Sequence, residues 1–181
     1  MKGKTTLGVI IGNRPLFADR LAKEGRGEIL RLLREQGIEA VCLSPRESKF
    51  GCVETWEEAK RCGELFAARR DRIDGVLVSL PNFGDERAIA DALRLSGLQA
   101  PVLIQAYPDE AKKMSVGERR DSFCGKLSVC NTKAWHTPGM ISTSNRGAIN
   151  RIFHSPPRRV FPDYQSCLLL TAILHCRLEG M

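Results

Sequence analysis

The sequence lacks the short motifs by which many chains declare a cofactor. Neither GxGxxG nor GxxxxGKS/T occurs in its 181 residues, so a nucleotide cofactor of the usual kind is not expected. No CxxC pair occurs among its seven cysteines, at 42, 52, 62, 124, 130, 167 and 176, and one is left over if the rest pair. The N-terminus carries no signal peptide, and with unpaired cysteines this predicts a reducing, cytoplasmic setting. Long hydrophobic runs are missing too: residues 167–174, CLLLTAIL, fall far short of the roughly 20 residues that span a bilayer, so no membrane partner is expected. Aromatics make up only 6% of the chain, and no dense basic block is interleaved with them. The formal charge of +7 therefore does not read as a nucleic-acid signal. Residues 1–131 hold 22 Lys and Arg against 19 Asp and Glu, a net of +3, and residues 132–181 hold 6 against 2, a net of +4. The larger excess sits in the shorter part.

What is present is an alternation of short apolar runs with amphipathic stretches. Residues 7–12 form a first strand, residues 17–36 a helix ended by Gly37, and residues 38–43 a second strand. Gly25 and Gly27 weaken the middle of that helix. Thr55 with Glu58 fits a capping box before a helix over 56–72. Residues 75–80, GVLVSL, make a strand suited to burial on both faces, which Pro81 ends. Asn82-Phe83-Gly84 turns the chain, Asp85 caps a helix that stops near Ser96-Gly97, and residues 101–106 give a fourth strand. The order implies right-handed βαβ units: an α/β domain with an open parallel sheet and flanking helices, Rossmann-like or flavodoxin-like. Residues 126–130 read equally as a helix start or a fifth strand. Beyond Asn131 neither period survives for long, and residues 132–181 read as an irregular tail holding all three histidines, 136, 154 and 175.

Ligands of open α/β sheets bind outside the carboxyl ends of the strands. Three of those exits carry Arg14, Asn82 with Asp85 and Glu86, and Tyr107 with Asp109, a set suited to a polar ligand. Arg14 offers a rigid donor fork toward the crevice, or a partner for Asp85 or Asp109. Asp85 and Glu86 have a structural task as cap and first-turn acids. Metal sets drawn from Cys124, Cys130 and His136, or from Cys167, His175 and Cys176, match no standard zinc spacing. Cys124 beside Arg119 and Arg120 lacks a histidine partner in the patterned region and reads as no nucleophile.

Several stretches together resemble the N-terminal domain of the L-fucose isomerase / L-arabinose isomerase group. They are LGVIIGNRP at 7–15, Phe17-Ala18-Asp19-Arg20, LVSLPNFGDE at 77–86, QAYPDE at 105–110 and RRDSFCGKLSVCN at 119–131, the LPNFGDE and DSFCGK parts being most specific. The resemblance implies an oligomeric aldose–ketose isomerase of cytoplasmic sugar metabolism. A divalent metal, usually manganese, then holds the sugar oxygens while carboxylates move a proton between adjacent carbons, the metal stabilising the enediolate. It also implies that the metal ligands belong to later domains, so that this chain holds neither catalytic residues nor metal. By position Arg14 is similar to the family's substrate-contacting arginine, and the Asn82-Phe83 turn to the loop that closes over the sugar. A fragment that contributes pocket and oligomer contacts, inactive alone, is the implied function. A stand-alone sugar- or effector-binding module without catalysis, or a pure assembly domain, is the alternative. The joint loss of periodicity and resemblance near Asn131 motivates the hypothesis of a truncated or frameshifted end there; a resequenced locus with no family-like continuation in another frame would count against it.

Overall fold

The computed structural model describes residues 5–131 and the backbone of 140–143 and 149–151. Strand β1 (Thr6–Ile11) leads to helix α1 (Asp19–Glu35) and strand β2 (Glu39–Val41). Helix α2 (Trp56–Ala67), strand β3 (Gly75–Leu80), helix α3 (Glu86–Ser96), strand β4 (Val102–Ala106) and helix α4 (Ser122–Asn131) follow. Two short strands, β5 (Met140–Thr143) and β6 (Ile149–Arg151), complete a sheet of order β2-β1-β3-β4-β5-β6. All pairings are parallel except that of β5 with β6. The β2-β1-β3-β4 order is that of the flavodoxin-like sheet, which settles the choice between the two architectures expected.

β1 and β3 are buried along their whole length because helices cover both faces. On one face α1 packs Ala22, Ile29, Leu32 and Leu33 against Leu7, Val9, Ile11 and Leu77. On the other, Ile10, Val76, Val78, Leu80 and Ile104 meet Ala59, Cys62 and Phe66 of α2, Ile89 and Ala92 of α3, and Val129 of α4. The β-branched runs thus alternate between two apolar layers, as a central parallel strand requires.

Local chemistry sets the element ends. Thr55 Oγ1 accepts from the Glu58 N–H at 3.3 Å, and the Glu58 carboxylate accepts from the Thr55 N–H at 3.0 Å, so the capping box is present. Buried Glu58 goes further, accepting from the Lys49 N–H at 3.1 Å and the Glu54 N–H at 2.9 Å. One carboxylate therefore gathers the loop before α2. Asp85 Oδ1 accepts from the Ala88 N–H at 2.9 Å, and Gly97 ends α3 with φ of 61°. Three expected elements change their bounds, β2 shortening from 38–43 to Glu39–Val41. α1 starts at Asp19 rather than residue 17, since Ala18, with φ of −67° and ψ of 110°, is extended. α2 stops at Ala67, and Arg70–Arg72 form a separate 3-10 turn before β3.

Candidate functional site

The crevice lies above β1 and β3, where the chain leaves adjacent strands toward opposite faces of the sheet: to α1 from β1, to α3 from β3. Arg14 Nη1 donates to Glu86 Oε2 at 2.5 Å, and the guanidinium carbon lies 4.7 Å from the centroid of the Phe83 ring. Phe17 packs against the same ring, centroids 5.7 Å apart. The arginine is held between a carboxylate and an aromatic face, with part of its side chain open to solvent. Its partner is neither of the two expected. The Asp85 carboxylate is spent on the α3 cap, and Asp109 stands at the exit of β4, which does not adjoin β1.

Beneath this pair lies a buried polar chain. Asn82 Nδ2 donates to Asn13 Oδ1 at 2.7 Å, and Asn13 Nδ2 donates to Glu54 Oε2 at 2.6 Å and Asp19 Oδ1 at 3.0 Å. Two carboxylates require donors, which fixes the orientation of the Asn13 amide. Asn13 and Asn82 are both fully buried. Asn82 Oδ1 accepts from the Gly84 N–H at 3.2 Å, and Gly84 has φ of 72°, so the asparagine shapes the turn that presents Phe83. Glu54 reaches Asn13 because Val53 bridges to Gly12 beyond the end of β2, with the Asn13 N–H donating to the Val53 carbonyl at 3.1 Å. Lys49 Nζ sits 2.6 Å from Asp19 Oδ2, and this hydrogen bond is the main reason the Asp19 carboxyl titrates below its ordinary value. Asn13, Asp19, Lys49, Glu54 and Phe17 are the crevice residues that sequence reasoning missed. Asn13 and Asp19 lay inside stretches singled out for resemblance, but nothing in their spacing announced the contact with Glu54.

The exit of β4 behaves differently from expectation. Tyr107 turns inward, its hydroxyl donating to Glu28 Oε2 at 3.0 Å, and burial pushes its pKa well up. Arg120 spans the gap, its guanidinium 5.0 Å from the Tyr107 ring and its Nη1 donating to the Pro81 carbonyl at 2.8 Å. Asp109 is exposed, and partial desolvation raises its pKa against the Asp121 backbone N–H. Of the residues expected at the strand exits, Arg14 and Glu86 come together with Phe83 above Asn82, Asp85 caps α3, and Tyr107 and Asp109 do not join them. α4 closes the far side: Gly125 rests directly on the Phe83 backbone carbonyl, leaving no room for a Cβ.

Among the described residues no group of three His, Cys, Asp or Glu side chains is placed to hold a metal ion, and no helix is long and apolar enough to cross a membrane. Among the described residues no two cysteines form a disulfide, and Cys124 is exposed. The metal sets considered with His136, or with Cys167, His175 and Cys176, involve positions outside the described residues.

The flavodoxin-like strand order with a polar crevice at its switch point defines the class as an open parallel α/β domain. The family model described as "Fucose/sulfoquinovose isomerase, N-terminal domain" matches residues 8–145, and the chain belongs to that family. The match continues past Asn131 through β5, farther than the resemblance in the sequence was traced. Comparison with the curated proteins found no match, and comparison with the solved structures found none.

Proposed function

We propose that this chain is the sugar-recognition domain of an aldose–ketose isomerase of the L-fucose/L-arabinose type, working in cytoplasmic carbohydrate metabolism as part of a homo-oligomer. The observation that carries the reading is Arg14, fixed by Glu86 over the Phe83 ring beside the family-matched LPNFGDE turn. A planar donor fork next to an aromatic face suits a polyol, whose hydroxyls take hydrogen bonds while its C–H face stacks on the ring. Arg14 and Phe83 contact the sugar in this reading. Asn82 acts through the turn it shapes, since its side chain is fully buried.

In this reading the described residues bind and orient the sugar, and none of them moves its proton. The divalent metal, manganese by family likeness, would be held elsewhere in the complete enzyme, and this polypeptide alone would bind sugar without turning it over. The test is titration of the purified chain with L-fucose and L-arabinose, followed by saturation-transfer NMR, with ketose formation assayed in manganese alongside. Binding that is lost in Arg14→Ala, without ketose, is the expected result. A folded chain that binds neither sugar overturns the reading, and chelator-sensitive turnover overturns the inactive-alone part.

A further inference from the structure

The crevice answers its positive groups with carboxylates of its own. Arg14 Nη1 donates to Glu86 Oε2 at 2.5 Å, and both side chains remain partly open to solvent. Glu86 is the first residue of α3, where the partial positive charge of a helix N-terminus favours an acid, and Asp85 Oδ1 accepts from the Ala88 N–H in the same turn. Lys49 Nζ is held by Asp19 Oδ2. Each positive feature of the crevice, the Arg14 fork, the α3 N-terminus and Lys49, therefore already carries a carboxylate of the chain. Glu54 adds another, held by the neutral Asn13 amide. Two neighbouring cations leave this balance unchanged. Arg120 donates to the Pro81 carbonyl and lies over the Tyr107 ring, and Arg87 lies on another side of α3 from Glu86, since adjacent helical positions do not share a face.

We propose that Glu86 is a specificity-determining residue, admitting uncharged aldoses to the crevice and keeping out sugars that carry a carboxylate, phosphate or sulfonate. The Arg14 guanidinium is the crevice group best shaped to take such an anion in a two-pronged contact. Glu86 occupies its Nη1. An incoming anion must therefore displace a carboxylate that the α3 N-terminus also favours, or sit beside it as a like charge. A hydroxyl meets neither obstacle, because it can accept from the guanidinium N–H groups and donate to Glu86 itself. The choice of an aldose rests on the sugar reading above; the exclusion of anions does not.

Specificity is a difference between two affinities, and a repulsive group builds it as surely as an attractive one. Phe83 cannot supply the difference, because an aromatic face stacks on the C–H groups of neutral and acidic sugars alike. The other carboxylates stand on other partners: Asp19 on Lys49 and Asn13, Glu54 on Asn13, Asp85 on the α3 backbone. Glu86 is the carboxylate in contact with the arginine that the sugar reading assigns to the ligand. The discrimination therefore falls to this one side chain.

The experiment titrates the folded full chain and its Glu86→Gln variant calorimetrically with L-arabinose and with D-galacturonate, which keeps the same pyranose ring and carries a carboxylate in place of one hydrogen. The expected outcome is L-arabinose binding the unaltered chain about tenfold or more tighter than D-galacturonate, with that ratio falling about tenfold in Glu86→Gln. D-galacturonate binding the unaltered chain as tightly as L-arabinose overturns the proposal, and this comparison needs no variant to fold. A ratio left unchanged by Glu86→Gln, shown folded by circular dichroism, overturns the assignment to Glu86; Glu86→Ala takes its place if the glutamine variant does not fold. Inorganic sulfate, followed by NMR on the Arg14 Nε–H resonance, keeps the two readings apart. Sulfate that shifts this resonance in the variant alone, in a chain that fails the sugar titration, keeps the exclusion of anions and loses the sugar reading. Sulfate that acts alike on both chains overturns the exclusion.

Discussion

Gly25 of α1 and Pro81 at the end of β3 approach so closely that a Cβ on the glycine would stand 2.5 Å from Pro81 Cγ. The helix can lie against the strand exit only because residue 25 has no side chain. Gly27, two positions on, faces open space with nothing within 4 Å. Gly25→Ala should destabilise the fold, since overpacking costs about 1–3 kcal/mol and the helix-propensity gain returns about 1 kcal/mol at most. Gly27→Ala should stabilise it by about 0.5–1 kcal/mol. Urea denaturation midpoints of the two variants should move in opposite directions.

Glu58 offers a second test. It gathers three backbone N–H groups, those of Lys49, Glu54 and Thr55, with a carboxylate that is itself buried. Its removal leaves those donors without their acceptor, so Glu58→Ala should cost about 2–3 kcal/mol. Thr55→Ala removes one cap bond and should cost about 1 kcal/mol. Equal losses in the two variants would show that Glu58 works as an ordinary cap partner and does not organise the loop.

Arg14 should matter far more for ligand than for fold. The pair with Glu86 is about one-third exposed, 34% and 31%, and such pairs contribute at most about 1 kcal/mol. Arg14→Ala should therefore leave the denaturation midpoint nearly unmoved while sugar affinity falls at least tenfold. Glu86→Gln, which frees the guanidinium to move off the Phe83 ring, should weaken binding less than Arg14→Ala. Calorimetric titration of both variants checks the order.

The thiols give a pH dependence with a definite sign. Burial pushes Cys52 and Cys62 up to about 12, while Cys124 is exposed. Iodoacetamide at pH 8 should alkylate Cys124 ahead of Cys52 and Cys62, which it reaches only on unfolding. In the unfolded chain these thiols titrate near 8.5, roughly. Their contribution to stability is full below that value and is lost as pH rises toward 12, because the unfolded chain then releases protons that the folded one retains. Cys62→Ala should flatten the decline of stability between pH 9 and 11, measured by denaturant titration at each pH.

Local features were legible in the sequence because their causes are local. The capping box of Thr55 and Glu58, the Asp85 cap and the ends of β3 each depend on residues within a few positions of one another. The gathering of Arg14, Asn82 and Glu86 at one edge followed from the βαβ order alone. Which carboxylate Arg14 takes did not follow, because that depends on β1 adjoining β3 and on Asp85 being already engaged. Glu54 was invisible for the same reason: its contact with Asn13 needs the Gly12–Val53 bridge, a pairing between distant segments. Residues 126–130 suit either period, and their helical outcome depends on Gly125 seating α4 against the Phe83 carbonyl.

The pairing of Asn13 with Asn82 joins residues 69 apart, and that of Arg14 with Glu86 joins residues 72 apart. Contacts of such long range close large chain loops, and their entropic cost is met only when the intervening β–α–β–α–β segment has collapsed. No partly folded form that keeps β1 and α1 alone can hold this crevice. Ligand occupancy thus reports on completion of the whole run from β1 to the start of α3, and any ligand that binds there will stabilise that unit against unfolding and not merely tighten a loop.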